Sequence, residues 1–156
     1  MTLFKRFKYF LWYFGTFQVP LIGHLRPKLL VLNDDQIVMK IPLRRRSRNH
    51  LNSMYFGALA VGADVAGGLH AFYYANKEKL NLSLVFKSFH AEFLRRPESD
   101  VFFVCDSGQE VRAALFESKD SGERVNKKVT IDAFVNYPEK PEKIAEFILE
   151  LSVRVK

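Results

Sequence analysis

One carboxylate, Asp64, lies near the centre of an otherwise uncharged run from Met54 to Ala75. Alanine, glycine and aromatic residues make up most of this run. Its length and apolar character predict a buried helix. Burying a carboxylate is costly unless the group is paired or hydrogen-bonded. Asp64 is therefore either a group that does chemistry or an acid satisfied by neighbouring backbone and hydroxyl groups.

Other catalytic signatures are missing from the sequence. It has no Gly-x-Ser-x-Gly elbow, no phosphate-binding loop and no dinucleotide fingerprint. The four histidines have no paired ligand spacing, so we expect no metal; they are His24, His50, His70 and His90. The single cysteine, Cys105, alternates with Val101 and Phe103 on a predicted strand. We interpret it as a core residue in a reducing compartment, which predicts a cytoplasmic protein.

Size and charge limit the classes of function. With 156 residues, 48% of them hydrophobic and 26% charged, the chain has the composition of one soluble globular domain. The formal charge of +7 is typical of a protein that binds nucleic acid, a membrane surface or a small anionic substrate. Since no nucleic-acid-binding motif accompanies the charge, we expect no nucleic acid partner.

The elements around the apolar run are mainly strands. We predict a first hairpin at residues 28–32 and 36–43, and a second strand pair at residues 82–95 and 101–105. We predict a short helix at residues 109–119, which stops near Gly122. The last predicted element is a long hairpin at residues 129–137 and 144–155, joined by a Pro-Glu-Lys-Pro-Glu-Lys connection. A helix so apolar must be wrapped by the sheet. We therefore predict an α+β hotdog fold, in which a curled antiparallel sheet surrounds one long central helix.

The N-terminal segment allows several interpretations. Lys5, Arg6 and Lys8 precede an aromatic stretch, as in a signal peptide, but no small-residue cleavage site follows. Phe4, Phe7, Leu11 and Phe14 have helical spacing. This spacing predicts an amphipathic helix that packs on the domain, or lies at a lipid interface. We favour packing, and place a helical segment at residues 1–26 before a hotdog domain at residues 27–156.

Two groups of residues carry a resemblance to a known family. The first is Asn49, then Tyr55-Phe56-Gly57-Ala58 and Ala63-Asp64; the second is Phe93-Leu94-Arg95 with Pro97 and Asp100. In this register they resemble the hotdog-fold acyl-CoA thioesterases of the phenylacetate-pathway type and their uncharacterised bacterial relatives. The resemblance covers residues 27–156. It departs from the family where Tyr55 replaces a common His and Phe56 a common Gly.

The resemblance implies a thioesterase with a shared site. Gly57 and Asp64 lie about 10 Å apart along one helix, at 1.5 Å per residue, so one thioester carbon cannot contact both. In a homodimer, the backbone N–H of Gly57 would hold the oxyanion, and Asp64 of the partner subunit would act as general base on water or as the direct nucleophile. Asn49 would hold the attacking water or the loop at the helix start. Tyr55 would donate a hydrogen bond to the substrate or be a buried aromatic lining the pocket.

Basic side chains near this site are candidates for binding the substrate. Arg44, Arg45, Arg46 and Arg48 precede the helix and suit the phosphates of coenzyme A, although arginine-rich loops are more often simply solvated. Phe93 and Arg95, from the second matching group, are further candidates, with Arg96 beside them. The coenzyme A moiety belongs to the substrate, and the resemblance implies no separate cofactor.

The sequence therefore predicts a thioesterase that acts on acyl-CoA or acyl-carrier thioesters as a homodimer or a tetramer. One alternative is a hotdog protein that binds an acyl chain or lipid without hydrolysing it, since Tyr55 and Phe56 replace the usual pair. Another is a peripheral membrane protein that acts through the aromatic, basic N-terminus.

Overall fold

The structure is a computed structural model that describes residues 1–156. One long helix packs against a six-stranded antiparallel sheet that curls around it. The helices are α1 Leu3–Tyr13, α2 Pro20–Leu25, α3 Phe56–Lys77 and α4 Gly108–Ser121, with a π-helical turn Phe14–Gln18 between α1 and α2. The strands are β1 Lys28–Leu32, β2 Ile37–Ile41, β3 Leu82–Phe93, β4 Val101–Cys105, β5 Val125–Val135 and β6 Glu142–Val155. The predicted α+β hotdog architecture is confirmed.

The central helix α3 is buried on almost every side. Fourteen of its 22 residues are buried, which agrees with the uniformly apolar sequence. Gly62 allows the close approach to the sheet, because a Cβ atom there would lie 2.2 Å from the Phe103 ring. α1 and α4 flank α3, so that the sheet and these helices enclose it together.

The strand order is β1-β2-β4-β5-β6-β3. The predicted first hairpin forms between β1 and β2, and the long C-terminal hairpin forms between β5 and β6. The predicted pairing of residues 82–95 with residues 101–105 is wrong. β3 instead pairs along β6, from Leu82 opposite Val155 to Phe93 opposite Ala145.

Residues 94–100 explain this error, because they form a crossing segment and no tight turn. The N–H groups of Leu94 and Arg95 donate to the carbonyl of Ile144, and Met54 N–H donates to the carbonyl of Pro97. The segment therefore passes beside the start of α3 and carries the chain from the β3 edge to the middle of the sheet. The long β6 strand pairs along the whole length of β3, whereas the five residues of β4 pair with β2 on one side and β5 on the other.

The N-terminal segment packs on the domain. Phe7 and Leu11 are buried, and the Phe7 ring lies 5.9 Å from the ring of Tyr73. Phe10 and Phe14 contact Phe72 from the same side. Apolar spacing predicted the helix, but it did not predict the π-helical turn or α2. No helix of the chain combines the length and the apolar character needed to cross a bilayer.

Candidate active site

Asp64 lines an apolar cavity of about 190 Å³. The cavity lies between α3, strand β3 and the N-terminal segment. Its other walls are entirely uncharged and are formed by Phe10, Leu11, Phe14, Val19, Ile22, Val65, Gly68, Leu69, Phe72, Leu84 and Phe86. Asp64 is therefore the one ionisable side chain in a pocket that suits an apolar group.

The Asp64 carboxylate is partly buried and has no polar partner in the single chain. It makes no ion pair and accepts no hydrogen bond from a side chain or from the backbone. Burial alone raises the pKa of Asp64 above its ordinary value. A carboxylate with a raised pKa in an apolar pocket is suited to accept a proton from a bound water.

The start of α3 offers free hydrogen-bond donors. Tyr55 is the N-cap residue, and its side chain makes no capping bond. The N–H groups of Phe56 and Gly57 have no acceptor, because the helical partners that they would need lie before the helix begins. Together with the helix dipole, these N–H groups can stabilise a negative oxygen.

Tyr55 lies over the helix start. A Cβ atom on Gly57 would lie 2.4 Å from Cε1 of Tyr55, so glycine leaves room for the ring. The Tyr55 ring also packs against Phe56, with centroids 4.8 Å apart. We expected a buried aromatic as one interpretation of Tyr55, but the side chain is 49% exposed in the single chain. Its hydroxyl makes no hydrogen bond within the chain.

Asn49 organises the loop before the helix. Its side-chain oxygen accepts hydrogen bonds from Leu51 N–H at 2.9 Å, Ser53 N–H at 3.2 Å and the Ser53 hydroxyl at 3.1 Å. Asn49 N–H also donates to the carbonyl of Ser53 at 2.8 Å. The carbonyl oxygen of this amide is therefore occupied in the loop, and only the side-chain NH₂ group has no partner.

Phe93 ends strand β3, and Arg95 lies on the crossing segment that follows it. The Phe93 ring is 6.4 Å from the ring of Phe56, and both side chains are more than half exposed. Arg95 forms an ion pair with Glu142, which occupies part of its guanidinium. Phe93 thus lies near the residue that begins α3, whereas Arg95 is not a free cation.

Three of the four predicted arginines that precede α3 line one cavity. Arg44, Arg45 and Arg46 face a cavity of about 480 Å³, together with His24, Arg26 and Lys28. No carboxylate lines this cavity, and none of its arginines or its lysine forms a salt bridge. Arg48 lies apart from it. Its backbone forms an isolated bridge with Met54, next to the start of α3.

Sequence reasoning missed the residues that complete both cavities. Phe10, Leu11 and Phe14 form a wall of the Asp64 cavity, and Arg26 and Lys28 belong to the basic cavity. Heavy use of phenylalanine was the available signal for the first group. The absence of carboxylates before Asp34 was the signal for the second. No three histidine, cysteine or carboxylate side chains converge as metal ligands would.

Comparison with solved structures relates this fold to known proteins. A protein of unknown function from Chlorobaculum tepidum superposes with a TM-score of 0.84 at 12% identity, over 98% of this chain and 97% of that one. A probable thioesterase from Pseudomonas aeruginosa gives a TM-score of 0.75 at 17% identity, over 95% of each chain. A thioesterase from Haemophilus influenzae gives 0.67 at 13% identity, over 99% of this chain and 92% of that one. No functionally curated protein sequence matches the chain.

These likenesses place the chain in a fold class: it is a hotdog-fold protein, and proteins named as thioesterases are among its structural neighbours. At such low identities they show the fold alone. Residues 7–137 match DUF4442, a domain of unknown function. The chain therefore belongs to the DUF4442 family.

Proposed function

We propose that the protein hydrolyses acyl thioesters and that Asp64 is the general base. The observation that carries this proposal is the position of Asp64, an ionisable side chain without a polar partner in an apolar cavity. The named thioesterases among the structural neighbours support the same class of reaction. An acyl group fills the cavity, and its thioester carbon lies beside the carboxylate.

The reaction needs a base and an oxyanion site. Asp64 removes a proton from water while the water oxygen attacks the thioester carbon. The N–H of Gly57 stabilises the negative oxygen of the tetrahedral intermediate. The carbon–sulfur bond then breaks, and the thiolate takes the proton from Asp64, which leaves a carboxylic acid and a free thiol.

A single chain cannot assemble this site, because Gly57 and Asp64 lie about 10 Å apart along α3. We propose that a second copy completes it, with Gly57 of one protomer beside Asp64 of its partner. Strand β3 supports this arrangement. It forms an edge of the sheet over twelve residues, and it exposes the side chains of Val85, Phe89 and Phe93.

The two cavities suggest which substrate is bound. An apolar cavity of about 150 Å³ is known to hold one benzene ring, so the 190 Å³ cavity suits a short or aromatic acyl group. The cations Arg44, Arg45 and Arg46 suit the phosphates of coenzyme A. An Arg44→Gln and Arg45→Gln double variant should raise KM several-fold with kcat unchanged, whereas Lys127→Gln with Lys128→Gln on β5 should change neither constant.

A turnover screen tests the proposal. Wild-type protein is assayed with short, medium, long and aromatic acyl-CoAs, beside Asp64→Asn and the control Asp34→Asn. We expect Asp64→Asn to lose about two orders of magnitude in kcat/KM or more, because the base is gone while the shape is kept. Asp34→Asn should keep kcat. Full activity in Asp64→Asn would refute the role of this carboxylate.

A second candidate function is acyl binding without hydrolysis. It is favoured by Asn49, whose side-chain oxygen is already occupied by the loop and is not free to orient a water. In that case wild-type protein would retain an acyl-CoA through gel filtration without releasing thiol. Filling the cavity with Gly68→Leu would then abolish the retention.

A further inference from the structure

The outer face of the N-terminal segment carries a cluster of exposed aromatic rings. We call Tyr9, Trp12, Tyr13 and Phe17 the outer aromatic patch; their exposed fractions are 59, 55, 42 and 64%. The rings contact one another, with centroid distances of 5.5 Å between Tyr9 and Trp12, 6.0 Å between Trp12 and Phe17, and 5.3 Å between Tyr13 and Phe17. Such a contiguous exposed cluster is typical of an interaction surface.

Basic side chains surround this patch. The first 33 residues contain five lysines and arginines and no aspartate or glutamate. Lys5 and Lys8 each lie one helical turn before a ring of the patch, at Tyr9 and Trp12. Trp12 and Lys8 also line a groove of about 830 Å³ with Arg26, Lys28 and Arg46. None of these cations forms a salt bridge, and no carboxylate lines the groove.

The patch is held in place by the opposite face of the same segment. Phe7 and Leu11 are buried against the domain, so α1 cannot turn its outer rings inward. Gly15 and Gly23 pack α2 onto the π-helical turn, since a Cβ atom on Gly23 would lie 2.3 Å from the Gly15 carbonyl oxygen. One face of the segment therefore covers the domain while the other remains available to a partner.

We propose that the outer aromatic patch docks on an anionic phospholipid bilayer surface. Tyrosine and tryptophan prefer the boundary between water and hydrocarbon, and the surrounding cations are complementary to anionic headgroups. The absence of carboxylates from the segment favours a lipid surface of uniform negative charge over a mixed-charge protein surface. Leu11 lines both the 830 Å³ groove and the Asp64 cavity, so the docked face lies one side chain away from that cavity.

Vesicle binding by the full chain tests this proposal. Trp12 is the only tryptophan, so intrinsic fluorescence reports directly from the patch. With vesicles that contain about 30% phosphatidylglycerol we expect co-flotation and a shift of Trp12 emission to shorter wavelength, both weakened by salt. With vesicles of phosphatidylcholine alone we expect much weaker binding. No binding to the anionic vesicles at low salt, or equal binding to both kinds, would overturn the proposal.

Point variants locate the surface, whereas deletion of the segment would also remove buried Phe7 and Leu11. The Lys5→Gln and Lys8→Gln double variant should weaken partitioning about fivefold for each lysine. The control, Lys127→Gln with Lys128→Gln, loses the same charge on β5 and should bind as wild type. Equal loss in both double variants would show a response to net charge only and would overturn the proposal.

The aromatic contribution is tested with Trp12→Ala and Phe17→Ala, measured by flotation. We expect partitioning to fall at least about tenfold while the melting temperature stays close to wild type, because both side chains are exposed. Unchanged binding would overturn the proposal. So would loss of self-association in this variant, since the patch would then be an interface between copies of the chain. These readouts do not depend on thioester hydrolysis.

Discussion

Two carboxylates that belong to or contact the two halves of helix α3 have opposite surroundings. In the C-terminal half, Tyr73 donates to the Asp34 carboxylate at 2.6 Å and Tyr74 donates to the Asp34 carbonyl at 2.6 Å. Lys77 donates to the same carboxylate at 2.7 and 2.9 Å. In the N-terminal half, Asp64 has no such partner. The C-terminal half thus anchors the β1–β2 turn to the helix, while the N-terminal half holds a carboxylate without a polar partner.

The two carboxylates show this difference in their acidity. Hydrogen bonds from Lys77 and then Tyr73 lower the pKa of Asp34, whereas burial raises the pKa of Asp64. A folded protein gains stability from the first arrangement and loses it through the second. An unsatisfied group that the fold maintains at a cost is a candidate for function, and a fully paired group is a candidate for structure.

The largest effect should come from removing the proposed oxyanion donor, the Gly57 N–H, in the N-terminal half of α3. Gly57→Pro deletes the free N–H without breaking a helical hydrogen bond, and kcat should fall by about two orders of magnitude. Gly57→Ala is the matched control, because it adds bulk near the exposed Tyr55 ring but keeps the N–H. We expect its kcat to fall much less. Equal losses in the two variants would attribute the effect to crowding and contradict the oxyanion role.

Subunit mixing extends this prediction to the shared site. When Gly57→Pro and Asp64→Asn subunits are refolded together, half of the proposed dimers should be mixed, and each of these should have one intact site. Activity should then recover to about a quarter of wild type. The assay is paired with sedimentation at the working concentration. An active monomer, or a mixture as inactive as its components, would contradict a site built across two protomers.

A substitution in the C-terminal half of α3, which contacts Asp34, should change stability instead of activity. Tyr74 is buried, and Tyr74→Phe removes its hydrogen bond to the Asp34 carbonyl. We expect the free energy of unfolding to fall by about 1 kcal/mol, measured by urea denaturation, with kcat unchanged. A drop in kcat without a loss of stability would mean that the paired cluster takes part in the chemistry.

Local patterns in the sequence predicted part of the fold and part of the candidate site. Asp64 was identifiable because a single charge interrupts an apolar helix, and the β1–β2 and β5–β6 hairpins because turn residues mark them. Strand alternation indicates which face is buried but not which strand is the neighbour, so the partner of β3 was assigned wrongly. The wall formed by Phe10 and Phe14 depends on how α1 packs against α3, and no local pattern specifies that contact.

A smaller, pH-dependent effect is expected at His70, a buried residue of the C-terminal half of α3 whose Nδ1 has no hydrogen-bond partner. Burial lowers its pKa, while its Nε2 lies 3.3 Å from the carbonyl oxygen of Asn33. Below the ordinary histidine pKa of about 6.5 the unfolded chain gains a proton that the folded chain resists, so stability should fall as the pH decreases. In His70→Asn this fall between pH 7 and pH 5 should be smaller. Exposed His24→Asn is the control, and an identical pH profile in all three proteins would contradict the prediction.

The smallest effect, and the one that compares the two halves most directly, is the stability change in Asp64→Asn. Since the folded pKa of Asp64 lies above its unfolded value, its ionised form is disfavoured by folding, and the contribution of this group to stability is lost as the pH rises through those values. Asp64→Asn should therefore melt slightly above wild type at pH 7, and the gap should close towards pH 4.

Asp34→Asn should show the opposite sign, since the pKa of Asp34 is lowered: it should melt below wild type at pH 7, with the difference vanishing in acid. Both comparisons require one protein concentration, because association changes the melting temperature. If Asp64→Asn were instead less stable than wild type at pH 7, the carboxylate would have a stabilising partner in the assembled dimer. The contrast between an unsatisfied and a satisfied acid would then hold only for the single chain.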